Sequence, residues 1–198
     1  MKNPGKGTRR TKGTRGKEPG ALKRVAIGSG GEAAPRASRP NIPGSGIAGE
    51  KEGKGLLPWS WAKERLSGGW NYWLATTRPD GRPHVMLVWG LWLHGAFYFS
   101  TGEKTVKARN LAANPHCVVC TERADDAVIL EGTAEWVPAS AALGPLWQAY
   151  QKKYDWNVNG SGFYLVRPRV AFGLIEKDEL FTQTATRWLF HSCPGEVS

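Results

Sequence analysis

Two hydroxyl residues and two lysines lie close together where an apolar run leads into a helix-like run. Ser100 and Thr101 end the apolar run, and Lys104 and Lys107 follow. Lysines three residues apart share a helix face, and the first turn of a helix offers unpaired N–H groups and partial positive charge. Such a combination suits a phosphate group. The pattern therefore predicts an anion site, although it is also typical of a solvated helix start.

Other chemistry-bearing patterns in the sequence are weaker. His84 follows a turn and is suited either to act beside a bound ring or to form structural hydrogen bonds. Cys117 and Cys120 are three positions apart in a strand-like run, so their side chains should point to opposite faces, as expected for ordinary buried thiols. The four histidines lack metal-ligand spacing, and we find no HExxH, P-loop or GxSxG motif. We therefore expect no metal site.

The positive charge of the chain is concentrated near its N-terminus. Residues 1–55 contain 13 Lys and Arg against 4 Asp and Glu, whereas residues 56–198 contain 14 against 13. A nearly neutral second part argues against specific nucleic-acid binding, because duplex binding through phosphates needs a basic face. We find neither a signal peptide nor an apolar stretch of membrane-spanning length, so we expect a cytoplasmic protein without a membrane partner.

Composition divides the chain into two parts. Residues 1–55 are rich in Gly, Pro and basic residues, which predicts a disordered tail; it serves either as a weak polyanion-binding arm or as sequence upstream of the true translation start. Its GxGxxG at residues 44–49 lacks the flanking strand and helix of a dinucleotide fold. Residues 56–198 are predicted to form the folded domain.

The sequence of this domain predicts an antiparallel, mainly β structure with peripheral helices. About eight strands joined mostly by short turns favour a small barrel with three helices packed around it. We predict helices at 59–66, 104–114 and 139–154, and strands at 71–77, 84–93, 96–101, 116–122, 127–137, 163–166, 169–176 and 184–190.

The predicted domain contains an ordered series of short motifs: Asp80-Gly81-Arg82-Pro83, the strand from Val85 to Trp92, Phe97-Tyr98-Phe99-Ser100-Thr101, Lys107-Ala108-Arg109-Asn110-Leu111 and Asn114-Pro115. This series resembles the pyridoxamine 5′-phosphate oxidase-like family. The resemblance extends from about Trp59 to Phe190, and the closing segment 186–190 is similar to that of an actinobacterial-type branch.

The resemblance implies a split β-barrel homodimer with a flavin or deazaflavin in a groove between the subunits. Lys107 matches the phosphate-binding lysine of the family, with Ser100, Thr101 and Lys104 near it. The strand from His84 to Trp89, including Val85 and Leu87, would line the edge of the isoalloxazine ring. The oxidase itself has an arginine and a lysine at the approximate positions of His84 and Trp89. This departure argues against pyridoxamine phosphate as the substrate, and it weakens the expectation of FMN held as in that oxidase.

Two tryptophans and one arginine complete the predicted site. Trp89, from its strand position, and Trp188, from the family-like ending, are expected to stack on a ring or line a pocket, whereas most other tryptophans are expected in the core or a subunit interface. Arg187 is suited either to hold an anionic group or to pair with Glu176 or Glu179.

Three functional hypotheses follow. The first is an oxidoreductase that uses FMN, or alternatively the deazaflavin coenzyme F420, to transfer a hydride to or from a small organic substrate. The second is a non-catalytic module that stores or shields the cofactor, because a family fold does not fix function. The third is association of the basic tail with anionic surfaces, with the barrel as a scaffold.

Overall fold

The computed structural model describes residues 34–49, 54–177 and 180–190. These residues form nine strands, four α-helices and one short 3-10 turn. In chain order they are β1 (Arg36–Ser38), α1 (Trp59–Gly68), β2 (Tyr72–Thr77), β3 (Pro83–Val88), β4 (Gly90–Leu93), β5 (Ala96–Phe99), α2 (Val106–Ala113), β6 (His116–Thr121), β7 (Asp126–Val137), the 3-10 turn (Ala141–Leu143), α3 (Gly144–Tyr154), β8 (Phe163–Ile175), α4 (Leu180–Thr184) and β9 (Thr186–Leu189).

All strand pairs in the sheet are antiparallel. Hydrogen bonds connect the strands in the order β4, β5, β8, β7, β6, β2, β3, with β9 and β1 added beside β8. The ladder is not closed by hydrogen bonds, but its two end strands, β3 and β4, are joined by the single residue Trp89. This architecture confirms the prediction of a mainly β, antiparallel split barrel with peripheral helices.

The long strand β8 pairs with two different strands along one edge, β5 and then β9. Its first part pairs with β5, where Val166 faces Phe97, and its second part pairs with β9, where Val170 faces Leu189. The register with β7 shifts at Gly132, which faces Pro168. A bulge accommodates a proline because the strand pairing needs no backbone N–H donor at that position. The sequence prediction of two separate strands, at 163–166 and 169–176, was therefore wrong.

Two buried clusters fill the molecule. The larger lies between the sheet and α1, where Trp59 makes edge contacts with Trp92, Trp188 and Phe190 at centroid distances of 5.8, 5.3 and 5.1 Å. The smaller lies beneath α3 and includes Tyr150. Large aromatic side chains bury much apolar area each, so they stabilise a barrel of this size.

Several predicted boundaries differ from the structure for local reasons. The helix predicted from residue 104 begins at Val106, because the Thr105 hydroxyl caps it by accepting from the Ala108 N–H at 3.3 Å. Thr184, predicted as the first residue of the last strand, is instead the last residue of α4. The predicted helix 139–154 divides into the 3-10 turn and α3.

The predicted tail contains one ordered strand. Arg36–Ser38 pairs with β9, with Ala37 facing Trp188, so these three residues belong to the sheet. The remainder of the predicted tail at residues 1–33 and 50–53 lies outside the described residues. Among the residues that are described, no helix is long and apolar enough to cross a membrane.

Candidate functional site

A cavity of about 370 Å³ brings four of the predicted site residues together. Lys107 from α2, Ser100 from the end of β5, and Leu87 and Trp89 from the β3–β4 segment line it, together with Asn71, Val88 and Tyr150. Lys107 is the second residue of α2, so the cavity also lies beside the N-terminus of that helix. An ammonium group and a hydroxyl that line one cavity close to the start of a helix form a site for an anion.

The electrostatics around Lys107 favour a negatively charged ligand. Partial burial lowers the pKa of Lys107. Desolvation lowers the pKa of His84, and the positive charges of Arg78 and Lys107 lower it further. Lys107 has no ion pair among the described residues. A phosphate would supply the missing counter-charge.

A buried polar network connects α2 to the edge strand β3. Asn110 donates from Nδ2 to the Thr76 hydroxyl at 2.9 Å, and the Thr76 oxygen lies 3.3 Å from Nδ1 of His84. Asn110 and Thr76 are both buried. This contact fixes α2, and with it Lys107, against the sheet. Sequence reasoning did not assign Asn110 a role, although its place three residues after Lys107 was the available signal.

Trp89 is fixed in place by Tyr154 at the bend between β3 and β4. The two rings stack with centroids 4.8 Å apart and planes 5° apart. The Tyr154 hydroxyl accepts from the Gly90 N–H at 2.8 Å and lies 2.9 Å from the Trp70 carbonyl oxygen. Lys153 Nζ donates to the Gly90 carbonyl oxygen at 3.0 Å. Trp89 is therefore a rigid wall, and sequence reasoning missed the α3 residues that hold it.

A second groove, of about 550 Å³, continues from the Lys107 cavity. Both share Trp89, Ser100 and Tyr150 as lining residues. Ser100 donates to the Gly162 carbonyl oxygen at 3.1 Å, and Thr101 lines this groove rather than the Lys107 cavity. The predicted hydroxyl residues therefore lie along the junction of the two spaces.

Besides Thr101, five predicted site residues do not line the Lys107 cavity: His84, Lys104, Val85, Arg187 and Trp188. Lys104 is exposed in the turn before α2, and Val85 is exposed on the sheet face it shares with Trp73. Trp188 is fully buried in the core beside Trp59, so the expectation that it lines a pocket was wrong: the inward face of β9 carries it there.

Arg187 contacts strand β1 in the described residues. Its Nε donates to the Ser38 hydroxyl at 3.4 Å, and it forms no ion pair with Glu176. The other expected partner, Glu179, lies outside the described residues. Arg187 therefore contacts β1 rather than the Lys107 cavity.

A third cavity and the two described cysteines lie outside the Lys107 cavity. The third cavity, of about 520 Å³, lies beside β2 and β6 and includes none of the predicted site residues. Cys117 is buried and Cys120 partly buried, on alternating faces of β6, and burial raises the pKa of both thiols. Within the described ranges, no group of three or more His, Cys, Asp or Glu residues is arranged to hold a metal ion.

Comparison with known proteins identifies relatives of this architecture. A family model described as pyridoxamine 5′-phosphate oxidase matches residues 71–183. No curated protein matches the sequence. Among solved structures, a conserved hypothetical protein from Mycobacterium tuberculosis is similar, with a TM-score of 0.55 and 22% identity over 62% of this chain and 87% of that chain.

Two further solved structures are more distant in shape. One is named F420 reductase, with 27% identity over 55% of this chain and 94% of that chain and a TM-score of 0.46. The other is a pyridoxamine 5′-phosphate oxidase-related, FMN-binding protein from Nostoc punctiforme PCC 73102. It has 17% identity over 70% of this chain and 93% of that chain, with a TM-score of 0.48.

Proposed function

The chain belongs to the pyridoxamine 5′-phosphate oxidase family, and on that basis we propose that it is an oxidoreductase that binds FMN beside Lys107. The observation that carries this proposal is the cavity itself, in which Lys107, Ser100 and the Trp89 ring face a common space at the N-terminus of α2. A volume of about 370 Å³ lies within the range of small-molecule sites.

The residues present fit a flavin phosphate at one end and a ring at the other. Lys107 would contribute a charge-assisted hydrogen bond to the phosphate, with Ser100 and the first-turn amides of α2 beside it. Leu87 and Trp89 would supply apolar surface for the ring. Tyr154 holds Trp89 in one orientation, so that wall is formed before the ligand binds.

The chain supplies binding and orientation rather than acid–base chemistry. Besides Lys107, the only titratable side chain among the cavity residues is Tyr150, and burial raises its pKa away from neutrality. When bound, the flavin supplies the hydride or electron transfer itself. The protein residues would then anchor the phosphate, orient the ring and exclude water.

Storage or shielding of the cofactor is a second candidate, and the same shortage of acid–base groups supports it. The two functions differ in turnover. We expect the FMN-loaded protein to be reduced by a nicotinamide and reoxidised by an added electron acceptor over repeated cycles, followed by the flavin absorbance. Bound FMN that neither partner can reduce or reoxidise would favour storage.

The groove next to the cavity favours FMN over the deazaflavin coenzyme. The only charged side chain among its described lining residues is Glu103. Coenzyme F420 carries additional carboxylates beyond its phosphate, and a like charge repels them. We therefore expect FMN to bind more tightly than coenzyme F420, and Glu103→Gln to reduce that preference. A preference for F420 that Glu103→Gln leaves unchanged would contradict this choice.

A homodimer is part of the proposal. Trp73, Val85 and Leu87 are 43%, 50% and 48% exposed, and the register of β2 with β3 places them on one face at the sheet edge. Exposed apolar patches of this kind mark interaction surfaces. A second copy of the chain is the proposed occupant, because it would cover the patch next to the Leu87 wall of the cavity.

The anchor assignment is tested by titrating FMN into the Lys107→Ala variant. Losing a hydrogen bond to a charged group weakens binding by about 1.5–3 kcal/mol, on the order of tenfold to a hundredfold. Lys104→Ala is the matched control, because Lys104 is exposed and does not line the cavity. Equal FMN affinity in Lys107→Ala and the wild type would refute the assignment.

A further inference from the structure

Two exposed tryptophans face the groove that adjoins the Lys107 cavity. Trp136 is 36% and Trp156 is 59% exposed, and both line the groove with Trp89. Exposed indole rings beside a concave space of about 550 Å³ leave apolar area in water that a flat ligand could cover. The groove therefore has aromatic side chains along its walls.

These walls are rigid. The backbone at Gly162 lies so close to the Trp136 ring that an added Cβ would be 2.5 Å from its Cζ2 atom. Trp156 meets Trp89 edge-on, with centroids 6.4 Å apart and planes at 74°, and Trp89 is stacked on Tyr154. A site with fixed rings loses little freedom when a ring binds.

The charge of the groove selects among flat ligands. Glu103 is the only acidic residue that lines it, and the described lining residues include no lysine, arginine or histidine. The faces of tryptophan rings attract cations. A carboxylate and indole faces together favour a positively charged ring and disfavour an anionic one.

We propose that this groove binds a planar aromatic cation as the second reactant beside the cofactor. The role as second reactant rests on the proposed function, because it depends on a flavin in the adjoining cavity. Binding of the cation needs only Trp136, Trp156, Trp89 and Glu103. The two parts can therefore be tested separately.

Three ring probes of similar size separate shape from charge. They are the N-methylquinolinium cation, neutral quinoline and the quinoline-2-carboxylate anion, titrated calorimetrically at pH 7.5 into the full-length protein without cofactor. One exposed ion pair and one cation–π contact together predict that the cation binds about three- to thirtyfold more tightly than quinoline. The anion should bind most weakly.

Paired variants place the binding in this groove. Glu103→Gln should weaken binding of the cation by about two- to fivefold without affecting quinoline, whereas Glu64→Gln, at an exposed position of α1, should change the binding of neither probe. Trp156→Ala should weaken the binding of both probes by about two- to tenfold, whereas Leu56→Ala, an exposed apolar residue outside both the groove and the proposed dimer face, should not.

The Lys107→Ala variant distinguishes the two proposals. It should bind the cation as the wild type does while losing affinity for FMN, because Lys107 does not line the groove. Absence of cation binding, equal affinity for all three probes, or insensitivity to both Glu103→Gln and Trp156→Ala would overturn the groove proposal. Cation binding without any FMN binding would support the groove and overturn the cofactor site.

Discussion

Removing the Tyr154 hydroxyl should destabilise the bend that carries Trp89. In the wild type this oxygen accepts from the buried Gly90 N–H at 2.8 Å and lies 2.9 Å from the Trp70 carbonyl oxygen. Tyr154→Phe keeps the ring that stacks on Trp89 but leaves the Gly90 N–H without its acceptor. Lys153 Nζ still donates to the Gly90 carbonyl oxygen, so the loss falls mainly on the N–H group.

The magnitude follows from that single unpaired donor. Leaving a buried backbone donor without a partner costs about 1–3 kcal/mol of the free energy of unfolding. For a domain of this size each kcal/mol corresponds to about 2–4 °C in the midpoint of thermal unfolding. We therefore expect the midpoint to fall by roughly 2–12 °C. FMN affinity should fall as well, because the Trp89 wall of the cavity is held less firmly.

Urea unfolding of matched tyrosine variants measures this effect. Tyr98→Phe is the control, because Tyr98 is equally buried but its hydroxyl has no hydrogen bond among the described residues. We expect Tyr154→Phe to be less stable than Tyr98→Phe by at least about 1 kcal/mol. Equal stability of the two variants would refute the reasoning that the Gly90 contact holds the bend.

Three further predictions concern the same region and the sheet edge. Gly90→Ala should destabilise the fold by about 1–3 kcal/mol in urea unfolding, because an added Cβ overlaps the Phe97 ring; wild-type stability would show that the ring moves freely. Burial lowers the pKa of Lys153 from 10.5 to about 8, so the unfolded chain binds more protons between these pH values and the stability from this site rises with pH. The free energy of unfolding of the wild type minus that of Lys153→Met should therefore become more positive from pH 7.5 to pH 9.5. A value that stays constant or becomes more negative would contradict this prediction. Val85→Lys should shift the protein toward monomers in light scattering, whereas Met86→Lys, equally exposed on the opposite face of β3, should not; a wild-type monomer would contradict the dimer.

Sequence patterns predicted the elements whose signals are local. Alternating apolar residues and turn residues located β2 and β5–β7 closely, and the strand-to-helix run around Ser100 and Lys107 predicted two residues that the structure brings to one cavity. The predicted secondary structure was wrong where a contact between residues distant in sequence determines the local structure. Pro168 sits in a strand because Gly132 opposes it in a bulge, and Arg36–Ser38 forms a strand because β9 pairs with it.

The unpredicted parts of the site come from elements distant in sequence. Tyr154 reaches Trp89 across 65 positions, and Thr76 reaches Asn110 across 34, so no local pattern could reveal either contact. Trp188, in contrast, was predicted to belong to the site but does not line it. A family-like ending suggested a pocket, but strand alternation turns its ring into the core.

The central claim is that Lys107 holds the phosphate of a bound flavin, and comparison of FMN with riboflavin tests it most directly. Riboflavin has the same ring system without the phosphate. We predict that Lys107→Ala weakens FMN binding by roughly tenfold to a hundredfold, measured by flavin fluorescence, and leaves riboflavin affinity unchanged. Equal losses for both ligands, or no loss for FMN, would contradict the claim.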